Sequence, residues 1–343
     1  MKICLYFESE KLLAGSGIGR ARRHQMQALE SVGIEYTTDP KDDFDILHIN
    51  TFGVTSASVI SKAHKENKHV IYHAHSTEED FRNSFILSNQ IAPLFKIDIT
   101  SLYSSADSIL TTTPYSKSLL EAYGITLPIT AISNGIDLKR FSPDAEKIKA
   151  FRKYFSLHEE DKVVLSVGLY FERKGIMDFM EVARRMPEYK FIWFGHTNLY
   201  GIPKNVRDAI IDSPTNVILP GYVKGAIIEG AYADADVFFF PSYEETEGIV
   251  VLEALASKCK TILRDIGVYD PWLKDKVNCY KGKTNEDFVR LIKGCVENTL
   301  PELTKAGYET AKERSIPEIG KQLKEIYRKV QKLPIRNVKG ETT

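Results

Sequence analysis

Short apolar runs typical of buried β-strands alternate with helix-length amphipathic stretches along the whole chain. In the first half, these runs fall at 2–7, 44–50, 69–75, 108–113 and 129–134. A second series follows at 163–168, 190–195, 216–221, 236–242 and 260–265. This alternation predicts an α/β protein with two Rossmann-like domains, each built on a parallel sheet crossed by helices.

A charged segment, 142–161, separates the two series and is predicted to connect the domains with one helix. We expect an N-terminal domain over 1–155, a C-terminal domain over 156–315, and a final helix within 316–343 that packs back across the junction before a polar tail. The length of 343 residues agrees with two cores rather than one. Ligands of such sheets bind at the carboxyl ends of the strands, so the candidate chemistry is sought there.

Composition narrows the class of protein. The chain has 46 basic and 46 acidic residues, so no overall field attracts it to nucleic acid. No apolar run approaches the ~20 residues that span a bilayer, and the N-terminus lacks the apolar core of a signal peptide. We therefore expect a cytoplasmic protein without a nucleic-acid partner, either in solution or lying on the inner face of the membrane.

The segment 241–257 carries the strongest local signal. A strand is predicted to end at Ser242 and a helix to begin near Thr246 or Glu247. The amides of 246–249 would then point outward and suit a phosphate or sugar oxygen, with the carboxylates of Glu245 and Glu253 near the same face. The alternative is that Glu245 only stabilises the start of the helix.

A second signal lies in the loop after the strand 163–168. Arg173 and Lys174 stand next to each other, directly before Gly175 and a predicted helix start, where they can neutralise a diphosphate. A solvated basic loop is the alternative interpretation. Because both signals follow strands of one predicted sheet, they favour an anion site together more than either does alone.

Two further groups follow strands of the first half. Gly15, Gly17 and Gly19 form a glycine-rich loop that only partly matches a dinucleotide fingerprint. His73 and His75 end the strand 69–75, and alternation points them to the same side of the sheet. Two imidazoles could share a metal ion, but no third ligand is evident in the sequence, so no metal is predicted. Hydrogen-bonded structural histidines are the other alternative.

With these motifs, the chain resembles the retaining glycosyltransferases of the GT-B fold. In that fold, two Rossmann-like domains face each other across a cleft. The resemblance covers nearly the whole chain. It rests on GSGIGR (15–20), HAHSTEEDF (73–81), SNGIDLKRFSP (133–143), and the Arg-Lys loop with the two glutamates. One departure is that Thr246 and Glu247 occupy the places where the family has a glycine and an aromatic residue, which leaves the sugar specificity open.

The resemblance implies roles for individual residues. The positions matching Arg173 and Lys174 hold the donor diphosphate, Glu245 contacts sugar hydroxyls, and Glu253 contacts the ribose. The match to His75 meets the donor sugar near the reacting carbon and orients it, which makes His75, Glu245, Arg173 and Lys174 the catalytic candidates. The implied donor-binding set is Gly17, Arg173, Lys174, Glu245, Thr246, Gly248, Ile249 and Glu253. The donor is a UDP-sugar, transfer retains configuration, and neither metal nor cofactor is required.

The best clue to the acceptor is the segment 81–106, which is apolar and includes Phe81, Phe85 and Phe95. This segment either binds a lipid chain or lies on a membrane surface, or it is a core helix interrupted at Pro93. Arg22 and Arg23 either contact anionic headgroups or solvate their helix.

Several stretches of the chain, among them HSTEEDFRNSF and EETEGIVVLEALAS, are similar to bacterial enzymes that add a second hexose to monoglucosyl-diacylglycerol. Those enzymes use UDP-glucose or UDP-galactose and make the glycolipid anchors of lipoteichoic acid, so a glycolipid acceptor is expected. A transferase for a soluble or polysaccharide acceptor, and a non-catalytic nucleotide-sugar-binding subunit, are the alternatives.

Overall fold

The computed structural model describes residues 1–8 and 17–335. The described strands are β1 Lys2–Tyr6, β2 Glu35–Thr37, β3 Ile46–Ile49, β4 His69–Ala74, β5 Ser108–Thr111, β6 Ile129–Ala131, β7 Val163–Val167, β8 Lys190–Phe194, β9 Val217–Gly221, β10 Val237–Phe240, β11 Thr261–Arg264 and β12 Tyr280–Gly282. The described helices are α1 Gly17–Ser31, α2 Ser56–Lys65, α3 Glu78–Phe81, α4 Ser88–Tyr103, α5 Pro114–Ala122, α6 Ala145–Tyr154, α7 Ile176–Arg184, α8 Lys204–Ile211, α9 Ala226–Asp234, α10 Ile249–Ala256, α11 Asn285–Val296, α12 Thr304–Lys312 and α13 Ile316–Val330.

The chain divides into two compact units. Unit 1 comprises Met1–Glu79, Ile91–Gly135 and Arg314–Thr343, and unit 2 comprises Asp80–Gln90 and Ile136–Glu313. The helix α6 packs on α9 within unit 2, and α13 packs on α1 within unit 1. By these contacts the chain passes from unit 1 to unit 2 after residue 135, ahead of the charged segment that was predicted to join the domains. The segment Asp80–Gln90 also belongs to unit 2 although it lies within the first half of the sequence.

Each unit contains one parallel sheet of six strands, which confirms the predicted α/β class. In unit 1 the order is β2-β1-β3-β4-β5-β6, and in unit 2 it is β12-β11-β10-β7-β8-β9. All ten predicted strands are present. Two three-residue edge strands, β2 and β12, were not predicted.

Buried apolar side chains fix the helices on these sheets. In unit 1, Ile3 and Leu5 of β1 belong to one core cluster with Leu29 of α1 and Leu323 of α13. In unit 2, aromatic side chains fill the space between sheet and helices, where the ring of Phe179 on α7 contacts those of Phe191, Trp193 and Phe239. The sheets are rigid supports for the loops that follow their strands, because their strands are buried among such contacts.

Candidate functional site

The strand order of unit 2 reverses between β7 and β10. The two strands pair in parallel through Val164 and Leu165 of β7, opposite Val237 and Phe238 of β10. The chain continues from β7 toward β8 and β9 on one side and from β10 toward β11 and β12 on the other, so the sheet has its switch point here. Open α/β sheets bind ligands at such a switch point. The loop after β7 carries Arg173 and Lys174, and the loop after β10 carries Glu245.

Lys174 and Glu245 form an ion pair at the switch point. Nζ of Lys174 lies 2.5 Å from Oε1 of Glu245, and the Ser242 hydroxyl donates to the same oxygen at 2.7 Å. Both charged side chains are largely buried. Burial lowers the pKa of Lys174, and the Glu245 carboxylate opposes that shift. The sequence therefore brings a cation and an anion together, where they can interact with an anion and with hydroxyl groups respectively.

Arg173 is held by the segment Asp80–Gln90, which belongs to the same unit. Its guanidinium lies 2.9 Å from Oδ1 of Asp80, and its Nε donates to the Ser84 hydroxyl at 2.8 Å. Its backbone N–H donates to the Asn83 carbonyl, and a guanidinium N–H donates to the Glu244 carbonyl. The side chain is thus fixed beside Lys174. Asp80 and Ser84 were not predicted as its partners.

The two loops are also joined through their backbones. The Tyr243 N–H donates to the Arg173 carbonyl at 2.7 Å, and the Ser242 hydroxyl oxygen, whose proton is directed to Glu245, lies 3.1 Å from the same carbonyl oxygen. Gly175 follows the basic pair with a φ of +74°, and a Cβ at this position would lie 2.3 Å from the Pro241 carbonyl oxygen. A residue with a side chain would therefore separate the loops, which makes glycine a requirement here.

The helix after β10 begins later than predicted. The sequence analysis placed its start near Thr246 or Glu247, but α10 begins at Ile249, and Gly248 precedes it with a φ of +87°. The left-handed conformation of Gly248 turns the chain into the helix only at this residue. The helix start therefore consists of Gly248 and Ile249, and Glu245 precedes it within the loop.

Glu253 lies in the middle of α10 and is buried. Its Oε2 accepts a hydrogen bond of 2.8 Å from the Tyr232 hydroxyl on α9. This bond fixes one oxygen of the carboxylate. The contact with a ribose that the family resemblance implies stays a prediction, as do the ligand contacts of Thr246.

Arg264 is a support that the sequence analysis missed. It ends β11, and its guanidinium lies 3.8 Å from the centre of the Tyr243 ring while Nε donates to the Pro241 carbonyl. A further N–H donates to the Lys283 carbonyl, and the Asp178 carboxylate lies 3.2 Å away. One buried arginine thus holds Pro241 and Tyr243, at the start of the loop that carries Glu245. A charged residue closing the apolar run 260–265 was the available signal.

The histidines of unit 1 lie together, as alternation predicted. The rings of His73 and His75 stack with their centroids 4.1 Å apart. Nε2 of His75 lies 2.9 Å from Oδ1 of Asn50. The ring of His48, which the sequence analysis did not single out, stacks on the other face of the cluster against His73. Burial lowers the pKa of His75 to about 3, so the ring is neutral at physiological pH.

The remaining residues of the glycine-rich loop and first helix are only partly described. Gly17 begins α1 and is exposed, with open space where a Cβ would stand. Gly15 lies outside the described residues. The Arg22 guanidinium is 5.6 Å from the centre of the Phe7 ring, and Arg23 is exposed. Their predicted contacts with donor phosphates or lipid headgroups stay predictions.

The apolar segment 81–106 divides between core and surface. The helix α4 runs continuously through Pro93, so the interruption assumed by one of the two alternatives is wrong. Phe95 is buried and contacts the Phe52 ring, whereas Leu94 and Ile97 are 68% and 67% exposed. Ile91 on the same helix is also exposed. We call Ile91, Leu94 and Ile97 the α4 apolar stripe.

The segment that precedes α4 is apolar and exposed too, within unit 2. Phe85, Ile86 and Leu87 are all exposed, and Phe81 is half-buried with its ring against Phe85. Leu87 has a φ of +66°, which is uncommon for a bulky side chain. The turn is thus a candidate contact surface.

Within 1–8 and 17–335, no three or more histidine, cysteine, aspartate or glutamate side chains are grouped so that they could hold a metal ion. None of the helices in these ranges is long and apolar enough to cross a membrane.

Comparison with known proteins relates this geometry to a family. The model of the group 1 glycosyl transferases matches residues 147–314, and that of glycosyltransferase family 4 matches residues 30–140. The chain is 48% identical over 334 residues to the processive diacylglycerol alpha-glucosyltransferase of Acholeplasma laidlawii, covering 97% of this chain and 99% of that protein.

Two further similarities are more distant. The chain is 25% identical over 292 residues to the alpha-galactosylglucosyldiacylglycerol synthase of Streptococcus pneumoniae, covering 82% of this chain and 77% of that protein. The structure of HepE from Anabaena in complex with UDP and glucose matches with a TM-score of 0.75 at 15% identity, covering 96% of this chain and all of that one. The latter establishes likeness of fold alone.

Proposed function

The chain belongs to the group 1 glycosyltransferases, and we propose that it transfers glucose from UDP-glucose to α-monoglucosyl-diacylglycerol. The product is a diglycosyl-diacylglycerol membrane glycolipid. The observation that carries the proposal is the Arg173, Lys174 and Glu245 group at the switch point of unit 2, in a chain 48% identical to a diacylglycerol glucosyltransferase. UDP-galactose is the second candidate donor, favoured by the similarity to a galactosyl synthase.

The basic pair suits the diphosphate of the donor. Negative charge builds on the leaving phosphate as the bond from the sugar C1 to oxygen breaks, so fixed cations stabilise the transition state more than the ground state. Arg173 is already oriented by Asp80 and Ser84, and Lys174 by Glu245. Little reorganisation is then needed when the charge develops.

The carboxylate of Glu245 suits the hydroxyl groups of the donor sugar. Lys174 and Ser242 both bind Oε1, and no other group within residues 1–8 and 17–335 hydrogen-bonds to Oε2, which the same fixed side chain holds in place. A carboxylate oxygen accepts two hydrogen bonds, so it can bind a sugar hydroxyl without losing its ion pair. In unit 1, the neutral ring of His75 is suited to orient a sugar hydroxyl rather than to act as a nucleophile.

Retention of configuration is part of the proposal. UDP-glucose carries the diphosphate in the α configuration, and the name of the 48% identical relative specifies an α-linked product. We infer that the acceptor hydroxyl approaches the face from which UDP departs. The bond from C1 to the acceptor oxygen forms as the bond to the phosphate breaks, and the acceptor proton passes to the phosphate oxygen.

A membrane surface is the proposed location of the acceptor. Leu94 and Ile97 of the α4 apolar stripe are each about two-thirds exposed, and the apolar turn 85–87 precedes the same helix in sequence. Apolar side chains on a helix that lies in the interface gain free energy by leaving water. We therefore propose a peripheral protein on the cytoplasmic face of the membrane.

Transfer from labelled UDP-glucose and, separately, UDP-galactose to monoglucosyl-diacylglycerol in mixed micelles tests the function. We expect a diglycosyl lipid, formed faster from UDP-glucose, with α linkage at the new bond. Faster reaction with UDP-galactose would reassign the sugar. A protein that binds UDP but glycosylates only a soluble sugar or a polysaccharide would refute the lipid acceptor. Binding without transfer or donor hydrolysis would indicate a non-catalytic subunit.

The stripe is tested by replacing both Leu94 and Ile97 with serine. We expect about 30-fold weaker binding to anionic vesicles in a sedimentation assay, because each of the two side chains contributes on the order of 1 kcal/mol of burial in the interface, about 2 kcal/mol together. Transfer to a short-chain acceptor in solution should be retained. Ile211→Ser is the matched control, since Ile211 is 66% exposed on α8 of unit 2. Equal vesicle binding by the unmodified protein, the double serine variant and Ile211→Ser would contradict the proposed membrane-binding surface.

A further inference from the structure

His75 stands at one end of a buried polar cluster in unit 1. The cluster consists of Gln25 on α1, His48 of β3, Asn50 after it, His73 and His75 at the end of β4, and Tyr327 on α13. All of these side chains are buried. In the part of the chain that the structure describes, no carboxylate or ammonium group hydrogen-bonds to any of the three rings. The cluster is therefore held by neutral hydrogen bonds alone, and each bond must join one donor to one acceptor.

The orientation of the Asn50 amide follows from its neighbour in the same chain segment. Nδ2 of Asn50 lies 3.4 Å from the His48 carbonyl oxygen, to which it donates. The opposite orientation would place Oδ1 against that carbonyl, so two acceptors would face each other in a buried site. Oδ1 of Asn50 is therefore the atom that faces Gln25 and His75.

This orientation decides which nitrogen of His75 carries the proton. Oδ1 of Asn50 can only accept, and Nε2 of His75 lies 2.9 Å from it. Nε2 must then be protonated, which leaves Nδ1 with a lone pair. Nε2 of Gln25 donates to the same Asn50 oxygen at 2.7 Å and fixes it from a second side. Among the residues that the structure describes, none hydrogen-bonds to Nδ1 of His75.

The His73 ring follows the same reasoning. Nε2 of Gln25 also donates to Nδ1 of His73 at 3.0 Å, so that nitrogen is an acceptor and His73 is protonated on Nε2. Nε2 of His48 lies 3.3 Å from the same atom, whose single lone pair is already bound by Gln25, and Nδ1 of His48 lies 2.7 Å from the Tyr327 hydroxyl oxygen. All three imidazoles are neutral. Burial lowers the pKa of each ring, in agreement with this assignment.

We propose that Asn50 is a positioning residue, which holds His75 in the Nε2-protonated form so that Nδ1 accepts a hydrogen bond from a hydroxyl of the donor sugar. The proposal rests on the role proposed above for His75. If His75 were protonated on Nδ1 instead, that nitrogen would be a hydrogen-bond donor. A sugar hydroxyl could then only accept from it. The stacked rings of His73 and His48 keep the plane of the His75 ring fixed. Asn50 determines which nitrogen of that ring is protonated.

The protonation site is measured directly by nitrogen-15 NMR on protein labelled at histidine, without any substrate. His75→Gln identifies the signals of His75. We expect the Nε2-protonated pattern in the unmodified protein, a mixture of both forms in Asn50→Ala, and the original pattern in Asn50→Asp, whose carboxylate oxygen still accepts. Retention of the original pattern in Asn50→Ala would overturn the proposal. If Asn50→Ala does not fold, an Nδ1-protonated His75 in the unmodified protein overturns it equally.

Kinetics separate a positioning role from a purely structural one. We expect Asn50→Ala to lower kcat by about 10-fold or more, with a smaller change in KM for UDP-glucose. In the His75→Ala background the same substitution should cost no further activity, because its effect passes through His75. An equal further loss in that background would refute the proposal.

Asn216→Ala is the matched control for loss of a structural asparagine. Nδ2 of Asn216 donates to the carbonyls of Ala183, Met186 and Tyr189 in unit 2. This variant should be less stable but should leave the His75 signals unchanged. Full activity of His75→Ala would refute the role proposed for His75, whereas the NMR result would still test whether Asn50 sets its proton.

Discussion

Lys174→Ala is expected to lower the turnover of glycosyl transfer by about 10²- to 10³-fold, the loss found when one preorganised donor to a developing negative charge is removed. Two effects act together. The leaving diphosphate loses a cation, and the buried carboxylate of Glu245 loses the ammonium that lies 2.5 Å away. Removing one partner of a buried pair leaves an uncompensated charge, which also displaces the remaining carboxylate. Steady-state kinetics with a saturating lipid acceptor measures the change.

Two further variants show whether the positive charge of Lys174 accounts for the loss of turnover. Lys174→Met keeps the apolar stem of the side chain and removes only the ammonium, so it should lose nearly as much turnover as the alanine variant. Lys281→Ala removes another buried lysine of unit 2, whose Nζ lies 2.9 Å from Asp270, and should retain most of its turnover. Normal transfer by Lys174→Met would show that the ammonium does not act on the leaving group.

The strands were predictable where both faces of the sheet are buried. Interior strands of a parallel sheet are continuous apolar runs, and all eight interior strands were recognised, together with the edge strands β6 and β9. The missed strands, Glu35–Thr37 and Tyr280–Gly282, are three residues long and stand at sheet edges. An edge strand has one neighbour and needs fewer apolar residues, so its local pattern is weak.

The site was predictable in its chemistry but not in its connections. Arg173, Lys174 and Glu245 are charged residues directly after strands of one sheet, and strand order alone brings them together at the switch point. The partners of Arg173, namely Asp80 and Ser84, lie about ninety residues earlier, and no local pattern links the two segments. Contacts of that separation depend on how the chain folds rather than on spacing.

The polar cluster of unit 1 did leave a signal in the sequence. His48 and Asn50 occupy alternate positions near the end of an otherwise apolar strand, as His73 and His75 do on the next strand. Alternate residues of a strand share one side of the sheet, so polar pairs on adjacent strands indicate a buried polar cluster. The contributions of Gln25 and Tyr327 come from helices at opposite ends of the chain and required the structure.

Gly175→Ala is expected to destabilise unit 2 by about 3 kcal/mol or more and to abolish tight binding of UDP. A left-handed conformation costs a residue with a side chain about 1–2 kcal/mol, and here φ is +74°. The new Cβ would in addition lie 2.3 Å from the Pro241 carbonyl oxygen, a backbone atom that cannot turn away. The loop that carries Arg173 and Lys174 would have to separate from the loop that carries Glu245.

Urea unfolding followed by tryptophan fluorescence measures this cost in the correct part of the molecule, because Trp193 and Trp272 both belong to unit 2. Gly221→Ala is the matched control, since Gly221 has a φ of +77° in the same unit with open space around the position of a Cβ. It should lose only the ~1–2 kcal/mol of conformational strain and should still bind UDP. An equal loss of stability in both variants, with UDP binding retained, would mean that the two loops tolerate separation and that their contact does not shape the donor site.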